Sequence, residues 1–569
     1  MSFPTPSSPP DLVIKNRFLG FLIWQSIPST MIYLFSKTLI SAIVNTFTHS
    51  TNSNGSTTGR NPLLVFVPSF IGFISFFTFH LSQLLFSATL SVVASPQPER
   101  SASPLELAIG IFRLLVVPGD GDVGGRLPEN DSPDFRRRVK VSVSFFMFAA
   151  ASAAAGFTAA VSLCGVSLID EYDCGFWLIE RVGLRGFVVG LLFGLHYVYK
   201  RRWVLEFPII QRPPYFSFKM ELPSAARRAF RLSSAAFLLS AILTEILPHP
   251  FKSKLAMQKF FTEQIIFSIG IFAVFLCWEL SHHLHQVLHT KRFIFAPPKG
   301  SAAAETNPSE HLLAALEESN PTSLLRYLAY LDLYMVCENN VDPWRRAAFF
   351  EETGETYKRV IAVCLRPLEH LSSRLGEGLG NSVGTAAQIS NQLLSPTDTR
   401  LDLKYLESLN NFQLYAWCSK TVASLTAGSH REDKFGVAQL SGSNAAVIST
   451  LISCLLAIET ITGKKTNLQS PNQLLGPAGI RWATVNTGRA DAIASAKKRS
   501  GPVNSKAYAI ADVLKNSIYQ VVSAFHDEML ASAKAGMLEK EWVANGKPLF
   551  GSREILVQKL RLFLDFQAT

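Results

Sequence analysis

Six long apolar segments in the first 300 residues constrain this chain more than any other feature of it. They run from Phe18 to Val44, Leu63 to Val93, Val141 to Ile169, Phe176 to Tyr199, Leu232 to Leu247 and Phe260 to Leu280. A helix rises about 1.5 Å per residue, so about 20 mostly apolar residues cross a hydrocarbon layer about 30 Å thick. The first segment carries Pro28 and Lys37, the fifth is short, and the sixth has room to continue as a helix to His289. Charged residues are scarce at 17%, against about a quarter in soluble domains. The expected fold is all-α: about six membrane-spanning helices followed by a mostly helical soluble domain.

Charge supplies an independent check. Residues 1–300 hold 27 Lys/Arg and 17 Asp/Glu, a balance of +10 out of the net +11. With six spans, one set of flanks receives Lys15 and Arg17, the Arg136-Arg137-Arg138 run with Lys140, Lys200-Arg201-Arg202, and Lys291-Arg292. The opposite flanks receive only Lys37, Arg60, Arg181, Arg185, Lys252, Lys254 and Lys259. Basic flanks stay on the cytoplasmic side, so both termini are expected to be cytosolic or nucleoplasmic. The polar tail 1–17 has no cleavable-signal pattern, and the first span is expected to serve as a retained signal-anchor.

The membrane domain is expected to occupy 18–296 and the soluble helical domain 297–569, the change falling at Pro297-Pro298. Apolar residues then recur at helical spacing, notably over Pro321–Val336 and Trp344–Leu371. Stretches rich in Gly, Asn and Ser predict flexible loops near 376–399 and 462–505. No basic stripe with interleaved aromatics appears there, which argues against direct nucleic-acid binding.

Several motifs invite chemistry. His282, His285 and His289 lie near one face of a helix, the arrangement of a metal-binding pair or triad. Iron-dependent membrane desaturases use several histidine boxes, whereas this chain has one, so the histidines read more simply as the polar end of the sixth helix. Gly463-Lys464-Lys465-Thr466 lacks the Ser/Thr and leading Gly of a phosphate loop, and Gly119–Gly125 lacks a strand–turn–helix setting. No cofactor, metal or catalytic residue is expected. A transporter would need ionisable groups in mid-membrane, for which His80, Glu245 and Glu263 are the candidates. Asn54-Gly55-Ser56 is a glycosylation sequon, and Cys164 and Cys174 flank a short acidic turn that a disulfide would close.

The third segment is rich in Ala, Ser and Gly, which suits either close packing within the chain or self-association. Two stretches suit the membrane surface: Leu105–Val117 with Arg113, and Phe216–Leu232 with Lys219, Arg227, Arg228 and Arg231.

Two places in the sequence resemble a known family. One is the first span with its lead-in, Lys15-Asn16-Arg17-Phe18-Leu19-Gly20-Phe21-Leu22-Ile23-Trp24. The other is Leu324-Leu325-Arg326-Tyr327-Leu328-Ala329-Tyr330-Leu331-Asp332-Leu333-Tyr334, followed by Asp342-Pro343-Trp344-Arg345-Arg346 and Phe349-Phe350-Glu351. With the six-span layout, they resemble the transmembrane nucleoporins of the nuclear division cycle (Ndc) family. That resemblance implies a non-enzymatic anchor of the nuclear pore scaffold in the pore membrane. It also implies inner-ring scaffold nucleoporins and aladin-like adaptors as partners. Leu331, Asp332, Trp344, Arg345 and Arg346 are the positions expected to meet a partner. The alternatives are a histidine-dependent lipid-modifying enzyme, a transporter and a general scaffold of the endoplasmic reticulum.

Overall fold

The computed structural model describes residues 10–49, 70–103, 105–110, 133–165, 176–246, 257–298, 300–318, 320, 322–339, 341–386, 407–467 and 502–568. They fall into two compact units, Pro9–Lys291 and Arg292–Thr569. Regular structure among the described residues is helical, with one isolated β-bridge between Ser95 and Val204. The Asn54 sequon, Arg113, Cys174, the Gly119–Gly125 run and most of both expected loops lie outside the described residues.

Among the described residues the N-terminal unit contains six long helices: α1 (Pro10–His49), α2 (Phe70–Val93), α3 (Pro133–Ala160), α4 (Phe176–Tyr199), α5 (Pro214–Ile246) and α6 (Met257–His289). A π-turn over Val161–Gly165 extends α3. Several helices outrun their apolar segments. α1 begins at Pro10, so the polar tail is helical from that point, and proline is well tolerated in a first helical turn where its missing N–H has no partner to lose. The Phe216–Leu232 stretch and the fifth apolar segment form one continuous helix, α5.

This unit is apolar on its outer faces as well as in its core, where a minority of polar side chains is enclosed among aromatic and aliphatic ones. On α1, Leu19, Ile23, Ile27, Met31 and Phe35 form an exposed stripe at intervals of four, while Gln25, Ser29 and Ser36 are buried. On α2, Phe73, Phe77, Leu81 and Leu84 are exposed, and Ser75, Ser82, Gln83 and Ser87 are buried. The buried polar groups bond across helices: Gln25 Nε2 donates to the Gln83 carbonyl (3.3 Å), and Ser75 Oγ donates to the Ser162 carbonyl (2.6 Å). Water would not leave such apolar stripes on the outside; hydrocarbon favours them and leaves the enclosed polar groups to bond one another.

The small residues of α3 are used within the chain. A Cβ at Gly156 would lie 2.4 Å from the Gly186 carbonyl, and one at Gly190 would lie 2.2 Å from the Ser152 carbonyl. α3 and α4 therefore meet backbone to backbone.

The C-terminal unit buries leucine, isoleucine and valine without comparable outward stripes on its central helices. Its main helices are α7 (Leu324–Cys337), α8 (Pro343–Ala347), α9 (Glu355–Ala386), α10 (Phe412–Glu432), α11 (Ser443–Asn467), α12 (Pro502–Ala524) and α13 (Arg553–Ala568). α11 is central, packing on α9, α10, α12 and α13. The expected helix over Trp344–Leu371 is broken at Glu351–Gly354, where Gly354 takes φ +69°. Glu351 Oε1 there accepts from the Thr356 amide (3.2 Å) and caps α9. The loop expected from Gly376 is helical as far as Ala386, because Leu368, Leu371 and Leu375 hold α9 in the core. Likewise α11 runs to Asn467 and α12 starts at Pro502, which shortens the second expected loop at both ends.

Six described helices are long and apolar enough to cross a membrane. Five are α1, α2, α3, α4 and α6; the sixth is α11, at Ser443–Thr462, and α5 is not among them.

Replacing Gly190 with Val places two methyl groups against the α3 backbone. We expect a loss of about 1–3 kcal/mol, the usual cost of overpacking. Thermal melting of the detergent-solubilised chain checks this, and an unchanged melting temperature would mean that the α3–α4 seam is looser than described.

Candidate functional site

Two polar clusters stand out, one in each unit. In the N-terminal unit the cluster lies at the end of the bundle that carries Arg17. Its centre is Glu279 of α6, fully buried in an otherwise apolar bundle. Arg202, just after α4, meets it with both terminal nitrogens (2.5 and 2.8 Å), and Arg228 of α5 approaches to 3.4 Å. The sharp turn after α4 puts Arg201 at φ +54° and turns Arg202 back under the helix. The strand-like Val204 then pairs with Ser95, and the Gln286 side chain receives the Glu206 amide (3.1 Å) and donates to the Val204 carbonyl (3.0 Å). Arg17 caps the far end of α6 by donating to the carbonyls of Leu288 (3.1 Å), His289 (2.7 Å) and Lys291 (2.7 Å). A guanidinium suits that position, because the last carbonyls of a helix lack intrahelical donors and carry partial negative charge.

The three histidines are structural parts of this cluster. His282 Nδ1 bonds the Tyr197 hydroxyl (3.0 Å), His285 and His289 stack with ring centroids 3.9 Å apart, and His289 Nδ1 bonds the His285 carbonyl (3.0 Å). They do not converge on a point, and among the described residues no group of three or more His, Cys, Asp or Glu could hold a metal ion.

The transport candidates are also engaged. His80 bonds Thr30 (3.0 Å) and the Phe76 carbonyl (2.9 Å). Glu263 pairs with Arg181 and lies 3.9 Å from Arg185. The Glu245 side chain lies outside the described residues.

Of the four surface residues expected on α5, Lys219, Arg227 and Arg231 are exposed. Arg228 is turned toward Glu279.

In the C-terminal unit the cluster is centred on Asp332 of α7, which has no exposed surface. Asp332 Oδ1 accepts from Arg292 Nε (2.8 Å); Oδ2 accepts from Arg345 Nη2 (2.8 Å) and from the Phe295 amide (3.0 Å). Arg345 also donates to the Phe295 carbonyl (3.2 Å), and Asp342 neutralises the second arginine, lying 3.2 Å from Arg292 and 3.7 Å from Arg345. Two carboxylates thus meet two guanidinia.

Arg346 forms a separate staple. It donates to the Cys337 carbonyl at the end of α7 (2.5 Å), to the Ser424 carbonyl (3.3 Å) and to Glu432 of α10 (2.8 Å). Gly428 leaves it room, since a Cβ there would lie 2.2 Å from Arg346 Nη2.

Five positions were expected to meet a partner, and the structure turns four of them inward. Leu331, Asp332, Arg345 and Arg346 are buried, and only Trp344 keeps partial exposure. The four hold α7, α8 and α10 together. What the sequence reading missed is the set of companions: Asp342 lies 3 positions from Arg345, Arg292 40 positions from Asp332, and Glu432 86 positions from Arg346.

The profile of the family described as Nucleoporin protein Ndc1-Nup matches residues 182–402 and 398–530, more than half of the chain. The chain belongs to the Ndc1-Nup nucleoporin family. The match begins within α4 and takes in Arg202, Arg228 and Glu279 and the Asp332 cluster, while Arg17 lies outside it. No curated protein matches the chain significantly.

Removing one member of a buried, fully satisfied ionic cluster costs about 3–5 kcal/mol, while apolar replacement of both partners is often near neutral. We therefore expect Asp332→Ala to destabilise the C-terminal unit by roughly that amount and Asp332→Leu with Arg345→Met to recover much of it. Protease resistance of the full chain during a temperature ramp reads this. Equal resistance of Asp332→Ala and the parent would remove Asp332 from the framework of the fold.

Proposed function

We propose that this nucleoporin is a multi-pass anchor of the pore membrane, holding the nuclear pore scaffold to the bilayer and assisting pore assembly. The carrying observation is the outward-facing apolar surface of the N-terminal unit in an Ndc1-Nup family member. Its outward stripes on α1 and α2 match hydrocarbon, and a bundle of spans holds a membrane far more firmly than a single surface helix. The C-terminal unit, with its conventional apolar core, is the soluble part that meets partners. Those partners are inner-ring scaffold nucleoporins and aladin-like adaptors. Trp344 is the position among the expected ones with surface to offer.

The reading includes a topology of six crossings by α1 to α6, with both termini cytosolic or nucleoplasmic. Hydropathy alone favours α11 over α5 as a span. Exposure favours α5: Leu238, Leu239 and Ile242 point away from the bundle, whereas Ile448, Leu451, Ile452, Leu455 and Ile458 of α11 are all enclosed by protein. An apolar helix covered by its own unit needs no lipid. α5 falls short on composition because its first half carries Lys219, Glu221, Arg227, Arg228 and Arg231.

Super-resolution imaging of a C-terminally tagged chain at native expression tests the location. We expect puncta coincident with a pore scaffold marker; a diffuse reticular signal would overturn the anchor reading. The topology is tested by a glycosylation acceptor inserted in the 468–501 segment. It should stay unmodified, and its glycosylation would place α11 across the membrane.

A further inference from the structure

The exposed face of α5 changes chemistry along its length without changing direction. Leu238 and Ile242 begin it at the apolar end, Ser234 follows one turn earlier, then Phe230 with Arg231, and then Arg227. These positions are three, four or seven residues apart and so lie along one side of a helix. At 1.5 Å per residue, Arg231 stands about 10 Å and Arg227 about 16 Å from Leu238 along the axis. That is where the headgroup layer begins if Leu238 faces hydrocarbon.

Two further observations single out this pair. The middle arginine of Arg227-Arg228-Ala229-Phe230-Arg231 is paired inward, with Glu279 at 3.4 Å and Glu221 at 3.7 Å. The outer two have no carboxylate partner among the described residues, and Arg227 makes only a long contact to the Pro223 carbonyl (3.4 Å). They also border an open depression lined by Ala226, Arg227, Phe230 and Arg231, with Phe230 64% exposed between them. Two unpaired guanidinia beside an exposed aromatic ring suit a phosphodiester with an acyl chain below it. Guanidinium presents a planar fork to phosphate oxygens, and the ring sits at the boundary of polar and apolar layers.

We propose that Arg227 and Arg231 form a binding site for the headgroup of an anionic phospholipid in the leaflet on the Arg17 side of the bundle, with Phe230 against its upper acyl carbons. The site rests on the reading of α5 as a lipid-facing span. It selects anionic lipid over zwitterionic lipid by charge: the pair brings two positive charges, and phosphatidylcholine brings its own cation.

The test uses the full chain in neutral detergent, titrated with phosphatidylserine and phosphatidylcholine of the same acyl composition, with bound lipid counted by native mass spectrometry. The parent chain should retain phosphatidylserine preferentially. Each arginine near an anionic surface contributes about a fivefold preference, so Arg227→Gln with Arg231→Gln should reduce it on the order of thirtyfold. Both side chains are exposed, so melting temperature should not move; should the double variant fail to fold, Arg231→Gln alone should lose about fivefold. An unchanged preference in a folded variant overturns the site. Displacement of bound phosphatidylserine by an equal concentration of inorganic phosphate also overturns it, since that would make the site one for free anions. The assay is independent of cellular location. Loss of preference in a chain that is absent from pores would therefore count against the anchor reading and leave the lipid site standing.

Discussion

A carboxylate enclosed by apolar helices has to be neutralised by the helices themselves, because hydrocarbon supplies neither charge nor hydrogen bonds. That requirement organises the N-terminal unit. Glu279 draws in Arg202 from the turn after α4 and Arg228 from α5, and Glu263, 16 residues earlier on α6, draws in Arg181 and Arg185 from α4. Four arginines on neighbouring segments are thereby committed to one helix. Dispersion forces between apolar helices in lipid are similar for many registers, so these pairs are what distinguish one rotation of α4 and α5 about α6 from another. The close α3–α4 seam adds a second fixed relation, through shape instead of charge.

The same logic recurs in the C-terminal unit, with a different consequence. There the core is apolar, so in water helix packing alone would suffice for collapse. Asp332 and its arginines add uniqueness: Arg345 joins α8 to α7 and to the Phe295 backbone, and Arg346 joins α8 to α10. The α8 turn is only five residues long. A helix so short has little stability of its own, and the two arginines it carries are what fix it.

The legibility of this chain follows the range of the interactions concerned. Apolar runs are local, so the centres of the spans and the α-helical class could be read directly. Helix ends depend on distant groups: α6 reaches His289 as its sequence allowed, but the cap that ends it there, Arg17 donating to its last carbonyls, comes from more than 270 positions away. Glycines at 376, 378 and 380 suggested a loop, yet leucines one and two turns earlier keep α9 helical past them. The Asp332 and Arg345-Arg346 motifs were visible as unusual. Their direction was not, since charge near aromatic residues usually signals surface, and only the pairing with Arg292, Asp342 and Glu432 turns them inward. The histidines reversed the problem: their spacing was correct for a metal and their side-chain partners, Tyr197 among them, were invisible.

The contrast between α5 and α11 carries this furthest. Average hydropathy treats a helix as uniform around its circumference, and by that measure α11 is the better span. A membrane samples only the face a helix presents. α11 presents little of its apolar surface, because α9, α10, α12 and α13 already cover it. α5 is poorer in apolar residues overall but places Leu238, Leu239 and Ile242 outward, and it turns its one ion-paired arginine, Arg228, to the buried Glu279. The charges that lower its mean hydropathy divide by side, Arg228 toward the bundle and Arg227 and Arg231 toward the surroundings. An outward arginine is costly in the centre of a bilayer and favourable beside phosphates. The position of Arg227 and Arg231, one end of the stripe that Leu238 and Ile242 begin, is therefore what makes α5 consistent as a span.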